Sequence, residues 1–419
     1  MVMLKHAALV ARAPALAAAL ALAAAGCDVS APDGSGGVDG AGGGAPGCPG
    51  ALVVASSDYA STNVSVVSRG GELLSASLIS SASAGVGASA ALSGDVVPPH
   101  DRPASGLVVL IDRYPNSVVT WVDPATAEVR GQLSVATGFA SNPHDYLEAD
   151  GAKAYVTRYN TNPSPGREPL DGGGDLLVVD RERPALLGRV DLGAEAEGGF
   201  QPRPNRLARV ADGEAVVTLD RFDAAFLQAA DARLVGLELA SGALTWRHDV
   251  AGLANCGGLS LSPAGARLAL ACSGVFADGA GQLARSGLVL LDLGARPPRE
   301  IARFDLAARF GAPLAPALAF ASESLLVGIA YGDLGAGRRD LAFALDLESG
   351  EATTLAEAAD AFSFGDVRCA PGCGDLCFLA DAGENALRPF RLAGGALVAG
   401  PGLRVDTAFG LPPRAIGAY

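Results

Sequence analysis

The sequence predicts an all-β fold, a seven-bladed β-propeller made of four-stranded antiparallel blades. A short apolar strand of the same kind returns seven times, and successive copies begin 47 to 61 residues apart. Each repeat of this length has room for four short strands and carries turn signals without a helical pattern, as a propeller blade requires. The seven apolar strands begin at Leu52, Leu107, Ala154, Ala215, Leu268, Leu325 and Leu376.

The third repeat shows the expected order of strands within one blade. Its four strands are predicted at 144–149, 154–159, 175–180 and 187–192. Between the first two strands, Asp150 and Gly151 form the kind of tight turn that Asp-Gly favours in a hairpin. The same opening recurs at 205–214 and 259–268, so the blades share one plan.

The two ends of the repeat region predict how the ring closes. The first repeat starts at its second strand, near Ala51, and lacks an inner strand. Residues 410–419 follow a complete seventh repeat and are predicted to supply that missing strand. Closure by the C-terminal strand would remove an exposed sheet edge, which otherwise invites aggregation.

The N-terminal segment is predicted to be a targeting signal rather than part of the fold. Lys5 and Arg12 precede an apolar run over 13–25, which is too short to span a bilayer and ends in small residues before Cys27. This pattern resembles the bacterial lipoprotein signal, which implies that Cys27 becomes the lipidated first residue of the mature chain. An ordinary secretory signal with an incidental cysteine is the alternative. The predicted divisions are a signal peptide at 1–26, a flexible Gly/Ala-rich tether at 27–50 and the propeller at 51–419.

The resemblance implies a location in the bacterial cell envelope, with a lipid on Cys27 in the membrane and the protein facing the periplasm or the cell exterior.

A second resemblance concerns the blades. Asn142, Pro143 and His144, the 150–151 turn and the strand at 155–159 resemble the YVTN-type β-propeller repeat. That repeat implies the fold more than the function, because such propellers serve as binding proteins, scaffolds and, in related lactonases, enzymes.

The cysteines predict disulfides. After Cys27, six cysteines remain in a chain expected in an oxidising compartment. Two pairs are symmetric about hairpin turns and a third would join the ends of the ring; the predicted pairs are Cys256–Cys272, Cys369–Cys377 and Cys48–Cys373. Two alternatives stay open. Cys369, Cys373 and Cys377 could bind a metal ion, or Cys48 and Cys373 could be free thiols.

Most of the loop length is predicted on one face. We call it the long-loop face; it carries the connections between second and third strands and those between blades. Its long loops are predicted at 160–174, 223–232, 275–286 and 332–339. Long loops on a rigid scaffold commonly carry binding sites, although tolerated insertions explain such lengths equally well.

Polar side chains are predicted at the end of the central channel on the same face. The candidate ligand-binding residues are Arg113, His144, Arg158, Asn205, Arg221, Asn255 and Asp366. Arginine binds carboxylates through two parallel hydrogen bonds, so this group could hold a polar ligand. The structural alternative is that each Arg pairs with a nearby Asp.

Charge and motifs limit the function classes. The formal charge of −14 without a basic stripe argues against nucleic-acid partners. No nucleophile elbow, HExxH motif or phosphate-binding loop is recognisable. We therefore expect a binding scaffold for a small polar ligand or an envelope protein, without a cofactor. The alternative is a lactonase-like hydrolase that uses Ca²⁺ or Zn²⁺ held by Asn205, Asn255, Asp366 and His144.

Overall fold

The computed structural model of the protein describes residues 50–83, 87–372 and 375–419, and these form seven four-stranded antiparallel sheets. In six sheets the strands follow one another along the chain, and in the remaining sheet the last strand pairs with the first. The predicted seven-bladed β-propeller is confirmed.

The strands are given blade by blade, in chain order. Blade one contains β1 (Leu52–Ser57), β2 (Thr62–Val67) and β3 (Leu73–Ser80). Blade two contains β4 (Val96–Val97), β5 (Val108–Asp112), β6 (Val118–Val122) and β7 (Val129–Ser134). Blade three contains β8 (Pro143–Glu148), β9 (Lys153–Thr161), β10 (Gly173–Asp180) and β11 (Ala185–Val190). Blade four contains β12 (Pro204–Ala211), β13 (Glu214–Leu219), β14 (Ala232–Glu238) and β15 (Leu244–Val250).

Blades five to seven follow the same plan. Blade five contains β16 (Gly258–Leu261), β17 (Arg267–Ser273), β18 (Ser286–Asp292) and β19 (Arg299–Phe304). Blade six contains β20 (Leu314–Phe320), β21 (Leu325–Ala330), β22 (Leu341–Asp346) and β23 (Ala352–Glu357). Blade seven contains β24 (Phe364–Cys369), β25 (Leu376–Asp381), β26 (Ala386–Ala393) and β27 (Ala396–Ala399), and β28 (Pro413–Ala418) completes blade one.

Helical structure is limited to short connections. One α-helix, α1 (Leu306–Phe310), precedes blade six, and 3-10 turns occupy Gly193–Glu195, Phe276–Gly281 and Leu283–Arg285. Within the described ranges, no helix has the length and apolarity needed to cross a membrane.

The position of each strand in its blade explains its sequence pattern. Second strands are buried on both faces and are almost continuously apolar, as in β21 and β25. Fourth strands lie at the outer edge and alternate between buried and exposed residues, as in β15. Gly151 adopts a φ of +64° in the predicted hairpin turn of blade three, a conformation in which glycine is unstrained.

The core lies between neighbouring blades rather than in one central mass. Between blades three and four, for example, Tyr155 and Leu176 pack in one cluster with Val217 and Val235. Each blade is therefore stabilised by two neighbours, and the ring must close for blades seven and one to gain the same contacts.

The C-terminal strand closes the ring as predicted. In the register of β28 with β1, Val54 lies opposite Ile416 and Leu52 opposite Ala418. Ile416 is fully buried in a cluster that also contains Phe378 of blade seven. The last strand thus joins blades seven and one through both hydrogen bonds and packing.

The cysteines predicted to face each other across hairpins are joined in the structure. Cys256 is bonded to Cys272, and Cys369 is bonded to Cys377, its direct partner in the register of β24 and β25. Both thiols of the second pair are therefore unavailable to a metal ion. Cys48 and Cys373, the predicted third pair, lie outside the described residues, as does Cys27.

We call the face opposite the long loops the short-loop face, because short turns are expected there. Blade two differs from the other blades by having a longer connection on this face. Its inner strand has only two residues, Val96 and Val97, because Pro98 and Pro99 have no N–H to donate to the sheet. Residues 98–107 then form a longer connection on the short-loop face. The Pro-His-Asp sequences at 99–101 and 143–145 meet in the channel, where the His100 amide donates to Asp145 Oδ1 at 2.8 Å.

Both ends of the propeller lie on the short-loop face. Strand β1 reaches the long-loop face at Ser57, where it turns into β2, so Gly50 lies at the opposite end. The Tyr419 amide donates to the Ala51 carbonyl at 3.2 Å, which places the two ends of the ring side by side. The chain preceding Gly50 therefore joins the propeller on the face opposite the long loops.

Candidate functional site

The candidate site is the mouth, our term for the end of the central channel on the long-loop face. The predicted long loops are present there as the connections at 162–172, 220–231, 274–285 and 331–340. The inner strands begin at the same end, so their first residues line the mouth. The scaffold therefore brings loop residues from several blades to the start of β8, β12, β24 and β28.

A chain of hydrogen bonds links three polar residues at the mouth. The His144 Nδ1 atom lies 3.0 Å from Asn205 Oδ1, and Asn205 Nδ2 donates to Asp220 Oδ2 at 2.8 Å. Since Asn205 donates through its nitrogen, its oxygen must accept, and the network assigns the proton of His144 to Nδ1. The Nε2 atom then carries a lone pair, and it has no hydrogen-bond partner among the described residues.

Burial sets the protonation of this chain. His144 stacks on Tyr159 with ring centres 4.1 Å apart, and burial holds the pKa of His144 well below its usual 6.5, so its imidazole is neutral at physiological pH. Asp220 is fully buried and also accepts from the Tyr159 hydroxyl at 3.0 Å. Burial raises the pKa of Asp220 to about 6. Its Oδ1 atom has no hydrogen-bond partner in the described part of the chain.

Four arginines of the inner strands, namely Arg206, Arg209, Arg368 and Arg414, have no carboxylate within salt-bridge distance in the described residues. They donate to backbone carbonyls instead. The Arg206 Nε atom lies 3.4 Å from the Gly257 oxygen, and Arg368 Nε lies 2.8 Å from the Ile416 oxygen. Burial lowers the pKa of Arg206, attraction to Asp145 and Asp366 raises it, and repulsion from Arg368 and Arg113 lowers it. Arg206 therefore lies in the channel between acidic and basic neighbours, none of the acidic ones close enough for an ion pair.

The carboxylates of the inner strands are used to join blades. Asp145 accepts from the backbone amides of His100 and Leu207, each at 2.8 Å, and so bridges blades two and four. Asp366 accepts from the amides of Val367 and Ile416 at 2.8 and 2.9 Å. These two carboxylates are held by backbone donors and do not form ion pairs with the channel arginines.

Three of the residues predicted from the sequence meet at the mouth. His144 and Asn205 are in contact, and Arg113 is close enough to His144 to lower its pKa. Arg113 also donates through Nε to Asp95 at 2.9 Å. Asn255 lies at the start of blade five and donates to the Gly274 carbonyl at 3.3 Å.

Two predicted arginines lie elsewhere. Arg158 is fully buried and makes two hydrogen bonds, of 2.7 and 2.6 Å, to the equally buried Asp175. Arg221 is almost completely buried, with its guanidinium 3.6 Å from Glu197 and 3.7 Å from Asp249. Both follow the structural alternative, in which Arg pairs with nearby acidic residues.

The sequence places Arg206, Tyr159 and Asp220 at the predicted mouth but not among the candidate ligand-binding residues, and it does not indicate Arg368 at all. Asp220 and Tyr159 do stand at the ends of second strands, beside the predicted arginines. Their position at the ends of second strands could have identified them. The contact between blades three and four that joins them to His144 cannot be predicted from the spacing of residues in the sequence.

The four donors considered for a divalent cation do not fit such a site. Asn205 uses its amide nitrogen and oxygen within the His144–Asp220 chain, and both oxygens of Asp366 accept backbone amides. No group of three or more His, Cys, Asp or Glu residues suited to metal binding occurs in the described ranges. We therefore derive no reaction step through a metal ion.

Asp101, at the short-loop end of the channel, provides a test of the buried charge there. Its Oδ2 atom accepts the Arg209 amide at 2.7 Å, and burial raises its pKa to about 7. The pKa of an Asp in the unfolded chain is near 3.9, so the folded protein holds the Asp101 proton more tightly than the unfolded chain does. Asp101 therefore contributes its whole stabilising effect below about pH 4, and this contribution is lost as the pH rises through 7. We expect the stability gained by Asp101→Asn to grow by about 2–3 kcal/mol between pH 5 and pH 8, measured by urea unfolding. An equal effect at both pH values would contradict this, and exposed Asp360→Asn is the control.

Comparison with known proteins supports the fold. No protein-family model and no curated protein matches the chain. Among solved structures, a periplasmic gluconolactonase from Pseudomonas aeruginosa matches with a TM-score of 0.55 and 15% identity, over 88% of this chain and 98% of its own. A candidate 6-phosphogluconolactonase from Bacteroides fragilis matches with a TM-score of 0.53 and 13% identity, over 88% and 97%. A protein from Lactobacillus plantarum matches with a TM-score of 0.57 and 12% identity, over 88% and 99%. At these identities the similarity concerns the fold alone.

Proposed function

We propose that this protein is a lipid-anchored binding protein of the bacterial cell envelope that binds a small carboxylate-bearing ligand at its mouth. The proposal is carried by two groups in the channel: the Arg206 guanidinium, whose hydrogen bond is a long one from Nε to a backbone carbonyl, and the His144 Nε2 atom, which has no hydrogen-bond partner in the described residues.

The chemistry of the mouth favours an anion. Arg206 uses only Nε in a long hydrogen bond, so its two terminal nitrogens can bind a carboxylate end on. Arg368 and Arg113 repel Arg206, whereas Asp145 and Asp366 attract it, and an anion bound to Arg206 would add to that attraction. The His144 Nε2 atom can accept a hydrogen bond from a ligand hydroxyl or N–H. We therefore favour a hydroxylated carboxylate over a neutral ligand.

The envelope location rests on separate observations. Disulfides persist in oxidising compartments, and two are present among the described residues. The segment resembling a lipoprotein signal would place a lipid on Cys27. The described chain begins at Gly50 on the short-loop face, which is the face opposite the mouth.

Calorimetric titration with citrate, malate and gluconate tests the binding proposal, with sorbitol as the uncharged comparison. We expect at least one carboxylate to bind and Arg206→Gln to weaken its binding by about tenfold or more, because a charged bidentate contact is lost. The control is Arg299→Gln, on the outermost strand of blade five with its side chain 73% exposed. Equal binding of sorbitol, unchanged binding by Arg206→Gln, or no binding of any carboxylate would reject the proposal.

Hydrolysis of a lactone is a second candidate, favoured by the hydrogen-bonded chain from Asp220 through Asn205 to His144. A neutral imidazole whose Nδ1 proton is held by a neighbour can take a proton from water at Nε2, and Arg206 can stabilise the negative charge that develops. D-glucono-1,5-lactone is the first probe, since one structural neighbour is a gluconolactonase. A rate of base consumption in a pH-stat that falls by about 100-fold or more in His144→Gln would favour hydrolysis over simple binding.

A further inference from the structure

The exposed apolar side chains of this protein are unevenly distributed. Six of nine exposed large apolar residues belong to connections on the long-loop face: Tyr59, Tyr114, Leu227, Leu334, Phe362 and Phe409. The other three, Leu187, Ile301 and Val398, lie on outermost strands. Within the described ranges, none lies in a turn of the short-loop face. Exposed apolar groups concentrated on one face commonly mark an interaction surface.

Three of these residues form a connected aromatic strip, which we define as Tyr114, Tyr59 and Phe362. The Ser93 hydroxyl donates to the Tyr114 carbonyl at 2.9 Å. The next residue, Gly94, packs closely on the Tyr59 backbone: a Cβ atom on Gly94 would lie only 2.2 Å from the carbonyl carbon of Tyr59. On the other side, the Arg414 guanidinium lies 4.8 Å from the centre of the Tyr59 ring and donates to the Phe362 carbonyl at 3.4 Å. The strip therefore crosses blades two, one and seven beside the mouth.

The backbone holds two of these rings in unusual conformations. Tyr59 and Phe362 have φ values of +67° and +59°, in the left-handed region that bulky residues rarely adopt. The Tyr59 turn is fixed by Asp58, which accepts the amides of Ala60 and Ser61 at 2.9 and 2.8 Å. Tyr59 is nonetheless 66% exposed and Phe362 39%. Backbone strain that keeps aromatic rings exposed is characteristic of functional sites.

The charges around the strip define the partner. Asp58 and Asp360 are exposed beside Tyr59 and Phe362, and backbone hydrogen bonds lower the pKa of Asp58, so it is ionised at neutral pH. Arg414 already lies over one face of the Tyr59 ring, so an ammonium or guanidinium group of a partner would use the opposite face or the Phe362 ring, where the two carboxylates outnumber that one guanidinium. We infer that the aromatic strip is a docking site for a protein segment that carries Lys or Arg beside an apolar side chain. This inference is independent of the ligand proposed for the mouth.

Fluorescence anisotropy with two labelled peptides tests this inference. One peptide contains Lys, Leu and Ser, and the other has Glu in place of Lys. The protein is the full chain with Cys27→Ala, which avoids detergent by removing the proposed lipid site. We expect the Lys peptide to bind about tenfold or more tightly than the Glu peptide, and Tyr59→Asn with Phe362→Asn to weaken it by at least about tenfold. Asn tolerates the left-handed backbone at both positions, and Leu187→Asn, on an outermost strand, is the matched control.

Four outcomes would overturn the inference. These are equal binding of both peptides, unchanged binding by the double variant, the same loss in Leu187→Asn, and preferential binding of an N-acetylglucosamine oligomer at the strip. Self-association abolished by the double variant would assign the strip to a second copy of this chain instead. Carboxylate binding at the mouth should persist in the double variant, so failure of one proposal is distinguishable from failure of the other.

Discussion

Deletion of residues 412–419 is expected to lower the free energy of unfolding by about 5 kcal/mol or more. The deletion removes β28, including the fully buried Ile416, and leaves β1 as an open sheet edge between blades seven and one. Loss of a buried Ile side chain alone costs about 2–5 kcal/mol, and each lost cross-strand hydrogen bond adds about 1 kcal/mol. Urea unfolding followed by circular dichroism measures the effect.

A graded series separates closure from a general effect of truncation. Ile416→Ala keeps the strand but removes its buried side chain, so it should fall between the wild type and the deletion. Val398→Ala, on the outermost strand of blade seven and 56% exposed, should be nearly neutral. Equal stability of the deleted and complete proteins would show that β28 does not close the ring in solution.

Asp175→Ala is expected to destabilise the protein by about 3–5 kcal/mol. The substitution leaves the guanidinium of Arg158 buried without its carboxylate, and both side chains have no exposed surface. Breaking a buried pair from one side is costly because the remaining charge stays out of water. The midpoint of urea unfolding measures this directly.

A surface pair provides the comparison. Arg299 and Asp292 are 3.5 Å apart, Arg299 is well exposed and Asp292 is partly exposed, so Asp292→Ala should change stability by at most about 1 kcal/mol. Similar effects of the two substitutions would mean that the Arg158 environment admits water, and Arg158 would again be a candidate ligand-binding residue.

The fold was predictable because its determinants are local and repeated. The seven apolar strands, the Asp150-Gly151 turn and the incomplete first repeat each appear within a short stretch of chain. Cys369 and Cys377 were predictable for the same reason, since a hairpin places residues symmetric about its turn opposite each other.

The candidate site was only partly predictable, because its members come from different blades. Arg158 and Arg206 cannot be told apart as isolated residues. Arg158 lies opposite Asp175 in the register of β9 and β10, whereas Arg206 has no acidic partner within salt-bridge distance in the described chain. The first contact could be derived from hairpin register. The hydrogen bond between His144 and Asn205 depends on how blades three and four pack against each other, and the sequence repeat does not predict that packing.

Pairing of the first and last strands also determines when this protein can finish folding. Val54 and Ile416 lie opposite each other although almost the whole propeller separates them in sequence. Contacts of such long range form late, since the loop between them must be ordered first. A chain exported N-terminus first could not complete blade one until its final residues had crossed the membrane. Until then the edge of β1 would be open to pairing with other chains, so a stalled export intermediate would be the form most exposed to aggregation and to periplasmic chaperones.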